Sequence, residues 1–257
     1  MGRRARRRGY ATAANHVHRS DARLDTNSHR PTSHRGALGI DPSSEAGVAT
    51  PRRPQRRRRA NLAFVTVAVL GLWRVARNSL PLAPVVRFSM YVFFVGLFLT
   101  GFGSAYYHWQ PDDLTLVSDR LPMIIAFAGM LGALFCERIS RRAGTAILVF
   151  MLVIGPGSVF YWKETGDLSV YVAVQFGAMA AVILTLLFTE KSRDPFPWWT
   201  LIGWYVAAKI FESADAAIWV AAGGVLAGHA LKHLAAAIGS LAIANALRAR
   251  RARSRVD

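Results

Sequence analysis

The feature that most constrains this chain is a succession of seven apolar stretches, at 61–80, 87–107, 117–136, 143–162, 168–188, 198–219 and 222–247. Each has roughly the 20 residues that an α-helix needs to cross a bilayer. Helices of a water-soluble bundle would carry a polar stripe, whereas Ala143 to Tyr161 and Leu168 to Phe188 hold no charged side chain. In hydrocarbon a segment must satisfy its own backbone polar groups, so such stretches fold as helices. The predicted fold class is therefore all-α, a polytopic membrane protein built as a seven-transmembrane helix bundle.

Charge concentrates outside these stretches. The formal net charge is +17, and of 32 Lys and Arg, 15 lie in residues 1–59 and five lie after Ala246. Loose Arg-rich ends lack the folded basic face and aromatic platforms of a nucleic-acid reader, so no nucleic-acid partner is expected. Anionic lipid headgroups are the expected counter-charge. Residues 1–59 show no apolar periodicity and are predicted to be a disordered Arg-rich tail. The membrane domain then covers 60–247, and 248–257 form a basic C-terminal tail. No apolar core follows the first arginines, so the tail does not read as a secretory signal. His16, His18, His29 and His34 are scattered through it and read as solvated. The single cysteine, Cys136, excludes an internal disulfide and any multi-cysteine metal site.

Orientation follows from the loops. With seven spans, the loops after spans 1, 3 and 5 share a side with the C-terminus; that side holds thirteen Lys and Arg, the other only Arg120 and Lys163. The positive-inside rule then places the C-terminus in the cytoplasm. The basic N-terminal tail pulls the opposite way.

Polar groups competent to bind a metal stand where spans end. Ser104 and His108 are four residues apart near the end of span 2, on one face of a helix. Asp119 opens span 3, and a short turn through Pro111, Asp112 and Asp113 would bring its carboxylate back beside His108. Early in span 7, Gly228-His-Ala-Leu-Lys-His233 sets His229 and His233 at i and i+4, the spacing by which one helix presents two imidazoles to a single zinc ion. All five residues fall at one membrane depth, extracytoplasmic by the loop count. Three histidines would leave a fourth zinc position open.

These blocks carry a family resemblance. Ser104-x-x-x-His108, Asp119-Arg-Leu-Pro-Met123 and His229-x-x-x-His233 resemble those of the alkaline ceramidases, and more widely of the seven-span CREST hydrolases, which include the adiponectin receptors. Gly101-Phe-Gly-Ser-Ala-Tyr-Tyr-His108 and Gly228-His-Ala-Leu-Lys-His233 are similar to the bacterial branch, and the resemblance runs from Asn61 to about Leu247. It implies that His108, His229 and His233 bind Zn2+, while Ser104 and Asp119 contact its water or the substrate carbonyl. The implied activity is hydrolysis of the amide of a ceramide-like membrane lipid to a fatty acid and a long-chain base, by attack of a zinc-bound water. Asp119 would take and return the proton, and Ser104 would either donate to the developing oxyanion or orient His108. The acidic segment that binds calcium in eukaryotic members has no counterpart here, because Asp21, Asp25, Asp41 and Glu45 do not reproduce it.

Rival readings stay open at this level. The same zinc site suits a lipid esterase or phospholipase of this architecture, or a receptor-like protein in which zinc only ties spans 2 and 7 together. Lys209, Glu212 and Asp215 in span 6 would be a proton relay in a transporter, yet intramembrane charges usually pair, here with Lys232. Tyr106, Tyr107, Trp109, Trp198, Trp199 and Trp219 read as an interfacial belt, and Gly155-Pro-Gly157 as a kink.

Overall fold

The computed structural model describes residues 53–77, 82–190 and 196–253. They form eight helices and, among the described residues, no strand: α1 (Arg53–Ala76), α2 (Pro84–Trp109), α3 (Asp113–Arg138), α4 (Arg141–Thr165), α5 (Ser169–Phe188), α6 (Trp198–Ser213), α7 (Asp215–Ala221) and α8 (Gly228–Arg253). Five are long and apolar enough to cross a membrane: α2, α3, α4, α5 and residues 228–248 of α8.

Among the described residues the expected seven full spans are not all found, for two local reasons. The apolar part of α1 is only Asn61–Ala76, ending before Arg77, whose guanidinium stacks over Trp73 at 3.8 Å. The expected sixth span breaks at Ala214 into the 16-residue α6 and the seven-residue α7. There the Asp215 carboxylate turns to another helix and accepts the His229 backbone N–H at 2.7 Å. α1 starts at Arg53, within the stretch expected to be a tail. Arginine is a good helix former, and extending a helix already nucleated at 61–76 costs little. The rest of the tail, with His16, His18, His29, His34 and the acidic residues weighed for calcium, lies outside the described residues.

The first hairpins are packed through missing side chains. Gly71 of α1 takes the Phe94 ring of α2 where a methyl would stand. Between α2 and α3, Gly96 lies against the Ala126 and Pro122 backbone, and Gly129 against Phe93 and Ser89. Small residues at such positions let membrane helices approach to backbone contact, where dispersion replaces the missing hydrophobic drive. Pro122 sits inside α3 and cannot donate to the Ser118 carbonyl one turn back. That carbonyl lies against Gly103, in the space a Cβ there would need. Asp112 sets the turn between these helices: its Oδ1 accepts the Thr115 N–H at 2.6 Å, and the Thr115 hydroxyl donates to the Gln110 carbonyl at 2.6 Å. The expected return through Pro111 and Asp112 is thus made by a capping box, with Asp113 already in α3.

The last helix closes the bundle. α8 packs against both α1 and α6, while α5 packs on α4 and α3. Glu137 fixes the start of α6 to the end of α3, accepting from Trp198 Nε1 at 2.7 Å and from the Phe196 N–H at 3.3 Å. Trp198 is therefore buried, not a belt residue, whereas Trp109, Tyr106 and Trp199 are exposed as expected. Between α5 and α6 lies a cleft of about 530 Å³ walled by Phe176, Met179, Tyr205, Val206, Lys209 and Ile210.

Candidate metal centre

The first candidate ligand comes from the end of α2. Its helical run from Pro84 places Ser104 fully buried and His108 one turn later, one residue from the helix end at Trp109. The other two come from the first turns of α8, where His229 and His233 are both buried. Gly228 makes this approach: a Cβ there would occupy the place of the Phe211 carbonyl and press on Asp215. The loop before it turns through Gly223 and Gly224, at φ 60° and 74°, left-handed values that favour glycine.

The three imidazoles point their Nε2 atoms at one another. His229 Nε2 lies 2.5 Å from His108 Nε2 and 2.9 Å from His233 Nε2. Ser104 Oγ lies 3.5 Å from His233 Nε2. The Phe64 ring meets His233 edge-on at 5.4 Å between centroids, and Tyr107 leans over His108 at the same separation. The three ligand atoms all fall within 4.8 Å of one another.

Such an arrangement fits a cation better than it fits hydrogen bonds. In a neutral imidazole each ring nitrogen carries either one proton or one lone pair. His229 Nε2 can therefore serve only one of its two close nitrogen neighbours as donor or acceptor. A cation at the focus of three lone pairs satisfies all of them. Three nitrogen donors, two of them buried and none accompanied by a cysteine, could hold a metal ion. His108, His229 and His233 are thus brought together, with Ser104 beside them.

Asp119 reaches this level through the α2–α3 contact. It directly follows Ser118, whose carbonyl rests on Gly103, the neighbour of Ser104. The residue is half-buried and stands at the same end of the bundle as the histidines.

The charges of α6 pair with one another. Glu212 accepts from Lys209 at 2.8 Å and from Lys232 of α8 at 2.6 Å, so one carboxylate ties α6 to the helix that carries two of the histidines. Asp215 does not share that role and caps α8 at His229 instead. The capping contact spans 14 residues across a helix break, and nothing in the hydropathy pattern marks it. Arg120 entered the sequence reading only as a loop charge and a neighbour of Asp119; its guanidinium stands 4.3 Å from the centroid of Trp162 and 5.1 Å from that of Tyr171.

A search among curated proteins finds no match to the chain. A family comparison matches residues 59–255 to the model Ceramidase, a stretch that takes in α2 to α8, most of α1 and all five candidate site residues. With well over half of its length matched by that model, the chain belongs to the ceramidase family.

Proposed function

We propose that the chain is a zinc-dependent intramembrane amidase that hydrolyses ceramide-like sphingolipids to a fatty acid and a long-chain base. Family membership implies a hydrolase acting on the amide bond of a lipid, and it favours the amide over the ester alternative. The observation that carries the zinc reading is the convergence of three histidine Nε2 atoms from the first hairpin and the last helix. His108, His229 and His233 would hold the ion. When bound, zinc supplies a Lewis acid and lowers the pKa of a water ligand to about 7, which makes the nucleophile available at neutral pH.

The chain's own residues do the rest. The Asp119 carboxylate accepts the proton of the attacking water as its oxygen adds to the amide carbon. It then delivers that proton to the nitrogen, which leaves as the amine when the C–N bond breaks. The Ser104 hydroxyl, buried beside His233, donates a hydrogen bond to the carbonyl oxygen as that atom gains negative charge. Burial of Ser104, His229 and His233 limits competing water and strengthens these interactions. The apolar cleft between α5 and α6 receives an acyl chain from the bilayer. By the loop-charge count, the metal end faces the extracytoplasmic side and the C-terminus the cytoplasm.

The test measures metal content and lipid hydrolysis on the same purified preparations, wild type and His229→Ala, offered a ceramide and a glycerophospholipid. The expected result is about one zinc per chain and cleavage of the ceramide, with both lost in the variant. A wild type without metal, or a variant that still cleaves the amide, would refute the reading; cleavage of the glycerophospholipid alone would make it an esterase.

A further inference from the structure

Arg120 is not used by the chemistry above, and its surroundings are unusual. It lies on α3 immediately after Asp119, and among the described residues no ion pair joins the two. Its guanidinium is held against Trp162 in the last turn of α4 and Tyr171 in the first turn of α5, both buried. The ring faces of these two aromatics therefore gather the charge at the end of the bundle that holds the metal centre. The Nη1 atom is fully buried and has no hydrogen-bond partner among the described residues. The ion pairs found there, Lys163–Glu164, Lys209–Glu212 and Lys232–Glu212, do not include it.

Within a membrane bundle a guanidinium that makes no direct ion pair is costly, and stacking on aromatic rings offsets only part of that cost. A flat cation packed on its faces keeps its N–H edge for a ligand. Arginine's planar fork matches the oxygens of phosphate two at a time, which an ammonium does not. We propose that Arg120, caged by Trp162 and Tyr171, binds the phosphate-bearing head of a lipid amide whose scissile bond lies at the neighbouring metal centre. This rests on the amidase reading for the lipid's identity, but the anion is assigned by the cage itself.

Binding tests it apart from cleavage. The thermal midpoint of the full-length protein is followed in detergent micelles while ceramide or ceramide 1-phosphate of one acyl chain is titrated, with inorganic phosphate and phosphatidic acid as further arms. The wild type is expected to bind ceramide 1-phosphate about tenfold more tightly than ceramide and to show no shift with inorganic phosphate. Arg120→Gln should erase the difference between the two amides, and Arg120→Lys should restore only part of it. Equal affinity of the wild type for both amides overturns the proposal, whatever the variants do. So does a preference that survives in Arg120→Gln, or the same shift with inorganic phosphate or with phosphatidic acid, which has no amide. A phosphate preference without cleavage of either amide sinks the amidase reading and leaves Arg120 standing; cleavage of ceramide without the preference does the reverse.

Discussion

Replacing Asp215 by alanine should weaken zinc binding through the helix turn that carries His229. The Asp215 Oδ1 accepts the backbone N–H of His229 at 2.7 Å, and His229 is itself the first histidine of the site. A helix begins with backbone N–H groups that lack intrahelical acceptors, and a carboxylate there is favoured by both the hydrogen bond and the helix dipole. Loss of such a cap costs about 0.5–2 kcal/mol, and the charged, part-buried contact belongs in the upper part of that range. When the cap goes, the first turn of α8 frays, and His229 leaves the register that sets its Nε2 2.9 Å from that of His233. A cost of about 1–2 kcal/mol that falls on a ligand-bearing turn becomes a loss of roughly 5- to 30-fold in zinc affinity. Competition with a chelating indicator measures it directly. Asn caps a helix about as well as Asp, so Asp215→Asn should stay within about threefold of wild type. The reasoning fails if Asp215→Ala binds zinc as tightly as wild type, or if the asparagine variant is as damaged as the alanine one.

Four further outcomes are expected. Gly103→Ala sets a methyl against the Ser118 carbonyl, and because backbone cannot step aside as a side chain would, the loss should be about 3 kcal/mol or more; a thermal midpoint within a degree of wild type would contradict this. Glu212→Gln leaves Lys209 and Lys232 facing each other without their shared carboxylate, and with these groups partly exposed the cost is about 1–2 kcal/mol, larger than for Lys209→Met; denaturation of both variants in one detergent decides. Removing metal with a chelator should lower the thermal midpoint, and restoring zinc at 100 times its dissociation constant should return about 2.7 kcal/mol; a midpoint indifferent to both would argue against a site built from α2 and α8. In the α4–α5 loop, the Ser169 backbone N–H and then its hydroxyl hold the Asp167 carboxyl below its ordinary value. A depressed folded pKa contributes stability that is present above the unfolded carboxylate value and lost as pH falls through the folded one. Asp167→Asn should therefore lower stability near neutrality, leave it close to wild type at the acid extreme, and so flatten the acid limb of the profile below about pH 4.

Much of this was legible in the sequence, and the reasons differ by residue. His229 and His233 could be paired because helical spacing alone puts i and i+4 on one face. The return of α3 against α2 was readable from Pro111 and Asp112, since turn and cap residues act locally. The break in the span over Trp198–Trp219 was not legible, because Lys209, Glu212 and Asp215 read as paired charges within one span, whereas Asp215 reaches a backbone group on α8. Glu212 was visible as an expensive charge, but its two lysine partners come from different helices and only packing selects them. Trp198 shows the limit of a compositional rule: near a span end it reads as interfacial, yet Glu137, 61 positions earlier in the chain, draws its indole inside.

The placement of the ligands also dictates when the centre can exist. His108 belongs to the second helix made, whereas His229 and His233 belong to the last, and that last helix packs back onto the first. During synthesis the α1–α3 segment can reach its glycine-packed form with Ser104, His108 and Asp119 in place, yet it offers a metal only one imidazole. A chain interrupted before residue 228 therefore lacks two of the three histidines of the proposed centre, however well its earlier helices are inserted. On the proposed reading, metal capture would be a readout of completed translation, and hydrolytic competence would wait for the last helix to meet the first.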